Sequence, residues 1–383
     1  MKKKWLLSRV GVALTALATG CGGGNPQLAP GSLIVSPTLP SQVPSNTAPP
    51  IQPNRFSDVD FVDAQTGWVG GGGLILATKD GGRTWEQQYV GPHNILTLSF
   101  LSPLVGWAVA SDTLLGTTDG GANWTTLGEP EEPLVSVQFV NPSVGWGVMT
   151  EPGDLPQGPN FGGKLTKTTD GGHTWTIDET PQAVQSVCAI DIDTLWAAGG
   201  LSVLRSGDGG KTWSTAFTSP AHPDPPWSAD IQCAGREVAW VQFLGYGVAL
   251  GHAPYIIYRT SDGGGHWQAM MEEQYTLGSY LTAPEGPGSY PGPFSVVDEK
   301  TAYFVGWCPA CGAGETRVRG TNDDGETWQP DVTIPGPPSL PPRAVDFVDG
   351  AHGWAVFTST ESGSVLATTD GGLTWISTVV MPR

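Results

Sequence analysis

Two kinds of residue in this sequence have types and spacings that could do chemistry. Cys308-Pro-Ala-Cys311 has the C-x-x-C spacing of a redox dithiol or half a zinc site. No second C-x-x-C and no βαβ pattern accompanies it, so a small structural loop disulfide is the expected state. The other kind is carboxylate. Glu151, Asp154, Glu272, Glu273 and Glu285 fall between repeated motifs, where a pair could act as acid and base on a glycosidic bond. Charged side chains in such segments are more often simply solvated.

A larger set of aspartates recurs. The pattern Thr/Ser-x-Asp-x-Gly-x-x-Trp occurs seven times, centred on Asp80, Asp119, Asp170, Asp208, Asp262, Asp323 and Asp370 and ending in Trp85, Trp124, Trp175, Trp213, Trp267, Trp328 and Trp375. Its chemistry is that of a turn. The carboxylate can accept backbone N–H groups two or three residues on. The glycines supply positive φ, and the Trp opens the next strand and buries a large ring. Seven carboxylates each inside a tight turn cannot converge on one centre, and one per turn is far short of a calcium shell. Asp323-Asp324 is the one doubled case. No metal and no cofactor is expected.

Each motif must be held by strands. A second element precedes each box: FVDAQTGW (61–68), FLSPLVGW (100–107), FVNPSVGW (139–146), AIDIDTLW (189–196), CAGREVAW (233–240), VVDEKTAY (296–303) and FVDGAHGW (347–354). Alternating apolar residues before it, as in Val135–Phe139, mark a half-buried strand. Apolar residues after it mark another. Each repeat therefore predicts strand A ending near the Phe position, B starting at the Trp, C running into the box and D starting at the box Trp. Seven such units with box Trp residues 38 to 61 positions apart predict an all-β, seven-bladed β-propeller, with four antiparallel strands per blade and Asp-box C–D hairpins. The expected blades are 55–91, 92–131, 132–181, 182–219, 226–273, 293–334 and 342–381, closing without a shared blade.

Both elements together, as in VDFVDAQTGWVGGGGLILATKDGGRTW (59–85), resemble the BNR/Asp-box propellers, and among them the photosystem II assembly and stability factor family of plants and cyanobacteria. The resemblance covers about 56–380. It implies the scaffold, an extracytoplasmic setting and a habit of binding proteins. Members of that family present a basic, arginine-bearing patch to their partner, whereas this chain is acidic and has no such cluster in one repeat, so the identity of the partner does not carry over. Sialidases and xyloglucan-type glycosidases also carry Asp boxes. The sialidase match is poor, because Asn54-Arg55-Phe56-Ser57 stands where a Phe-Arg-Ile-Pro motif belongs.

The A–B turns keep one length and the C–D turns are all boxes, so that rim is fixed. Every large insertion falls in the B–C connections (150–163, 245–256, 307–316) or the D–A connections (217–227, 272–293, 333–342) on the opposite rim. These segments hold Phe161, Trp227, Tyr246, Tyr255, Tyr275, Tyr280, Tyr290 and Trp307. Exposed aromatics there suit a partner surface. The reading is a non-catalytic, protein-binding or assembly scaffold. A carbohydrate-binding or glycoside-hydrolase propeller is the alternative.

Residues 1–20 have a basic start, an apolar stretch and small residues before Cys21, the layout of a lipoprotein signal. Residues 21–54 are an uncharged Gly/Pro/Ser-rich tether behind a lipidated Cys21, in which only Leu33–Val35 could form a strand, and 55–383 are the propeller. The expectation is an exported protein, anchored in the membrane by its lipid on the extracytoplasmic side, with a protein partner in the cell envelope. Its formal charge of −18 argues against a nucleic-acid partner. In that compartment Cys188 and Cys233 are expected to pair, although Cys233 fills the Phe position of its repeat and Cys188 lies one residue before its own.

Overall fold

The computed structural model describes residues 55–382 apart from 129–131, 151–161, 221–225, 246–251, 274–282, 310–313, 337–341 and 360–361. Its strands form seven four-stranded antiparallel sheets, each from four consecutive strands. In chain order these are β1–β4 within 58–90, β5–β8 within 95–128, β9–β12 within 134–178, β13–β16 within 186–218, β17–β20 within 226–272, β21–β24 within 290–334 and β25–β28 within 344–382. The expected architecture is the observed one. The last blade takes all four strands from its own repeat, and residues 33–35 lie outside the described part.

The ring is held at its seams by the residues that mark the repeat. The Phe position of strand A (the slot) faces the preceding blade and meets the Trp of that blade's strand B. Phe61 stacks on Trp354 with centroids 3.4 Å apart, Phe100 on Trp68 at 3.5 Å, Phe139 on Trp107 at 3.5 Å and Phe347 on Tyr303 at 3.7 Å. The residue before the slot faces the following blade and accepts the N–H of its slot residue: Asp346 from Phe61, Asp60 from Phe100, Gln138 from Ala189, Gln232 from Val296 and Ser295 from Phe347. Alternation along a strand makes these two neighbours face opposite blades.

That alternation also explains the disulfide. Cys188 stands before its slot and faces the fifth blade, while Cys233 fills the slot there and faces back. The one-residue offset is therefore what an inter-blade bridge needs, and the two are bonded with Cα atoms 6.0 Å apart.

The deepest rings are those of strand B. Trp68, Trp146, Trp196, Trp240 and Trp354 are fully buried. The box Trp residues differ from the expectation: six of the seven are only half-buried, and Trp375 alone is buried. In the four blades with a slot Phe the box Trp stands edge-on to it, as Trp85 does to Phe61 with centroids 6.0 Å apart and planes at 88°. A residue that begins the outermost strand has one side toward solvent, so the strand B indoles take the core instead.

Candidate functional site

The Asp boxes are turns with a hydrogen-bond pattern of their own. In the first, the Thr78 hydroxyl donates to Asp80 Oδ1 at 2.8 Å and accepts Gly82 N–H at 2.9 Å. Asp80 Oδ1 accepts Thr84 N–H at 2.9 Å and Oδ2 accepts the Thr84 hydroxyl at 2.6 Å. Gly81 and Gly82 take φ of 75° and 91°. The backbone donor is thus four residues on, not two or three as expected. The same N–H bond recurs at Asp119, Asp170, Asp208, Asp262, Asp323 and Asp370. The shorter two-and-three pattern belongs to the A–B turns, where Asp63 accepts from Gln65 and Thr66. Donation from the Thr84 side chain and N–H holds the Asp80 carboxyl down at about 2, and Thr174 does the same for Asp170. Each carboxylate is occupied by its own turn.

On the opposite rim, described residues of the fifth and sixth blades form a polar cluster. Tyr255 opens β19 (Tyr255–Thr260), and Glu272 closes β20 (Gln268–Glu272). Tyr255 is 1% exposed, which corrects its expected place on an exposed surface. Its hydroxyl donates to Gly288 O at 2.9 Å, and burial, then the nearby Glu273, pushes the phenol pKa up. It is a locked core residue. The blade 5 strands run longer than those of the first repeat, eight residues in β18 (Val238–Gly245) against five in β2 (Gly67–Gly71), and so draw Tyr255 into the sheet.

Glu272 and Glu273 are both wholly buried. Glu273 Oε1 lies 2.8 Å from His252 Nδ1, and its N–H donates to Tyr255 O. Glu272 N–H donates to Pro284 O, and Ala253 N–H to Ser289 O. The Arg319 guanidinium donates to Glu285 O and to Asp331 Oδ1, each at 2.6 Å. These bonds fasten 283–289 to the fifth blade. Successive residues on a strand face opposite ways, so Glu272 and Glu273 do not form an open acid–base pair. Glu285 is exposed, and Glu151 and Asp154 lie outside the described residues.

Of the other rim aromatics, Tyr290 opens β21 (Tyr290–Val296) and Trp307 lies in β22 (Ala302–Cys308). They are cross-strand partners, half-buried, with rings 5.1 Å apart. Trp227 lies in β17 (Pro226–Ala234). Phe161, Tyr246, Tyr275 and Tyr280 lie outside the described residues, as do Cys21 and Cys311. Cys308 is disulfide-bonded. Among the described residues no group of His, Cys, Asp and Glu could hold a metal.

Sequence reasoning passed over three cations. Lys167, Arg205 and Arg259 lie over the indoles of Trp146, Trp196 and Trp240 at 4.9, 5.0 and 5.4 Å from the ring centroids. The signal was present: each stands three residues before its box Asp, where the first, second, sixth and seventh repeats have Ala77, Gly116, Gly320 and Ala367.

A family model described as photosynthesis system II assembly factor YCF48 matches residues 45–133. No curated protein matches the sequence. Among solved structures, YCF48 bound to D1 peptide is 15% identical over 83% of this chain and 94% of that one, with a TM-score of 0.54. YCF48 from Cyanidioschyzon merolae is 17% identical over 84% of this chain and 97% of that one, with a TM-score of 0.56. An ancestral GH74 enzyme is 13% identical over 84% of this chain but 45% of its own, with a TM-score of 0.50. At these identities the shared property is the fold. The chain shares the propeller fold of the YCF48 structures, and its residues 45–133 resemble that family in sequence.

Proposed function

We propose that this YCF48-like propeller is a non-catalytic scaffold that binds a protein in the cell envelope through the rim bearing its B–C and D–A connections. We read it as exported and held to the membrane by a lipid on Cys21. The observation that carries the binding reading is the asymmetry of the rims. One is spent on turns whose carboxylates are bonded internally. The other has segments of varied length rooted on a bonded platform at the fifth and sixth blades. A YCF48 structure with a bound peptide supports a protein as the partner class. The buried state of Glu272 and Glu273 removes these two carboxylates from the glycosidase reading.

A deletion tests the reading. Removing 276–291 would take out Gly288 and the start of β21, which the core uses, so the excision is confined to 275–281. The shortened chain keeps its melting temperature and loses capture of envelope proteins from detergent extract. Unchanged capture, with loss on substitution of Asp-box rim residues, would place the surface on the wrong face. Palmitate labelling that survives Cys21→Ser would remove the lipid anchor from the proposal.

A further inference from the structure

The A–B turn of the fifth repeat departs from the other six. In those six the residue two past the slot is Asp63, Ser102, Asn141, Asp191, Asp298 or Asp349, and its side chain accepts the N–H groups two and three residues on. The fifth repeat has Gly235 there, at φ 67°. Its slot is Cys233 and that of the sixth is Val296, where four repeats have Phe. Loss of both side-chain types at one seam leaves space. An open cavity of about 670 Å³ lies between the fifth and sixth blades on the Asp-box rim, within the size range of small-molecule sites.

The walls have a defined chemistry. Cys233, Ala234, Val296 and Val297 give an apolar floor, and Glu299, Lys300 and Asn322 stand at the mouth. The Glu299 carboxylate lies over Gly235, where an added Cβ would be 2.7 Å from Oε1. The Arg259 guanidinium is already committed to Glu299 O and Asp324 Oδ1, and that of Arg236 to Asp191. The Glu299 carboxylate, the Lys300 ammonium and the Asn322 amide have no side-chain partner among the described residues. Asp298 also lines the cavity, with its Oδ1 taken by the N–H groups of Lys300 and Thr301. The remaining anion, cation and amide above an apolar floor match a ligand that carries both charges and a small apolar body.

We propose that this cavity binds a small zwitterion of the α-amino-acid class, up to dipeptide size. Its ammonium meets Glu299, its carboxylate meets Lys300, and its apolar part lies over Ala234 and Val297. The site is on the rim opposite the proposed protein-binding surface and does not depend on it. Nothing covalent is involved.

Calorimetric titration of the full chain with glycyl-leucine, N-acetyl-glycyl-leucine and glycyl-leucinamide tests this. The unblocked dipeptide should bind at least about tenfold more tightly than either blocked form, the scale of one lost charge-assisted contact. Glu299→Gln should erase the penalty of acetylation, and Lys300→Gln that of amidation. Both are exposed substitutions that leave the blade cores alone. Gly235→Asp introduces the turn residue of four other repeats and should abolish binding. No heat from glycyl-leucine at millimolar concentration, or equal affinity for the three compounds, overturns the proposal. So does unaltered binding by Glu299→Gln and Lys300→Gln.

Discussion

The seams on the two sides of the ring solve one problem differently. A strand B indole at a blade face needs cover, and the next blade needs a bond across the gap. From the sixth blade round through the first to the third, cover is the next blade's slot Phe, and the facing strand C residue is Ala or Gly. The ring residue itself reaches across. Trp107 donates to Gly171 O, Trp354 to Gly81 O and Tyr303 to Gly350 O, and Trp68 does so through Gln88 to Gly120 O. From the third blade to the sixth the slots are Ala189, Cys233 and Val296, and the facing residue is Lys167, Arg205 or Arg259. The cation covers the indole and also crosses the seam, to Gly209 O, Arg236 O and Glu299 O. Either the neighbour's slot supplies a ring or the blade supplies a cation, although at the fifth-to-sixth seam Phe304 of the neighbour's strand B also packs on Trp240, with centroids 5.1 Å apart. The cation seams are those of the blades that carry the insertions.

The largest effect should come from removing a stacked ring. Phe139→Ala empties a buried site between two indoles and should cost about 4 kcal/mol in a denaturant titration, with no dependence on salt. A loss under 1 kcal/mol would mean that the stack is not what holds that seam. On the other side, Asp230 is buried beside the disulfide seam. It accepts the Ser186 hydroxyl, its Oδ2 has no partner, and burial raises its pKa to about 7. The folded chain therefore keeps a proton that the unfolded chain releases near 3.8. Stability should fall as pH rises from 3.8 to about 7, by up to about 1.4 kcal/mol per unit, and level off above. Asp230→Asn should flatten that slope, and a slope unaltered in the variant would dispose of the assignment.

The exchange rule can be tested by converting a seam. Lys167→Ala should cost about 1 kcal/mol, and Ala189→Phe alone should destabilise by crowding the lysine. The double substitution should recover most of both losses. Additive losses would mean that the two solutions are not alternatives. The smallest effect expected is at a box. Asp170→Ala should cost about 1 kcal/mol at neutral pH, as the loss of an exposed side-chain cap does. Because its pKa is depressed to about 2, the difference from wild type should persist above pH 3.8 and fade as pH drops through 2. A constant difference across that range would assign the role to the Thr168 hydroxyl instead.

The ring was legible in the sequence because its two marker elements recur at fixed internal spacing, and each maps onto a strand end. The seams were less so. Phe139 and Trp107 meet because one strand alternates toward two blades, which a repeat-by-repeat reading does not show. Tyr255 was misplaced because Pro254 before it reads as the end of a loop, whereas the longer strands of the fifth blade draw Tyr255 inside. The box bond to the fourth residue was misjudged because the Thr at the box start fills the nearer donor, Gly82 N–H, with its own hydroxyl.

Because every blade is cut from one unbroken stretch of chain, the ring has a clasp rather than a weld. First and last blades meet through Phe61 and Trp354, the same contact that joins the first to the second and the second to the third. A pull transmitted from the N-terminal side arrives at residue 55, on the first blade, and so loads that clasp directly. Far round the circle the fourth and fifth blades are tied covalently. A ring prised apart at the clasp therefore opens like a bracelet, and the tied pair stays together as the template on which it can shut again.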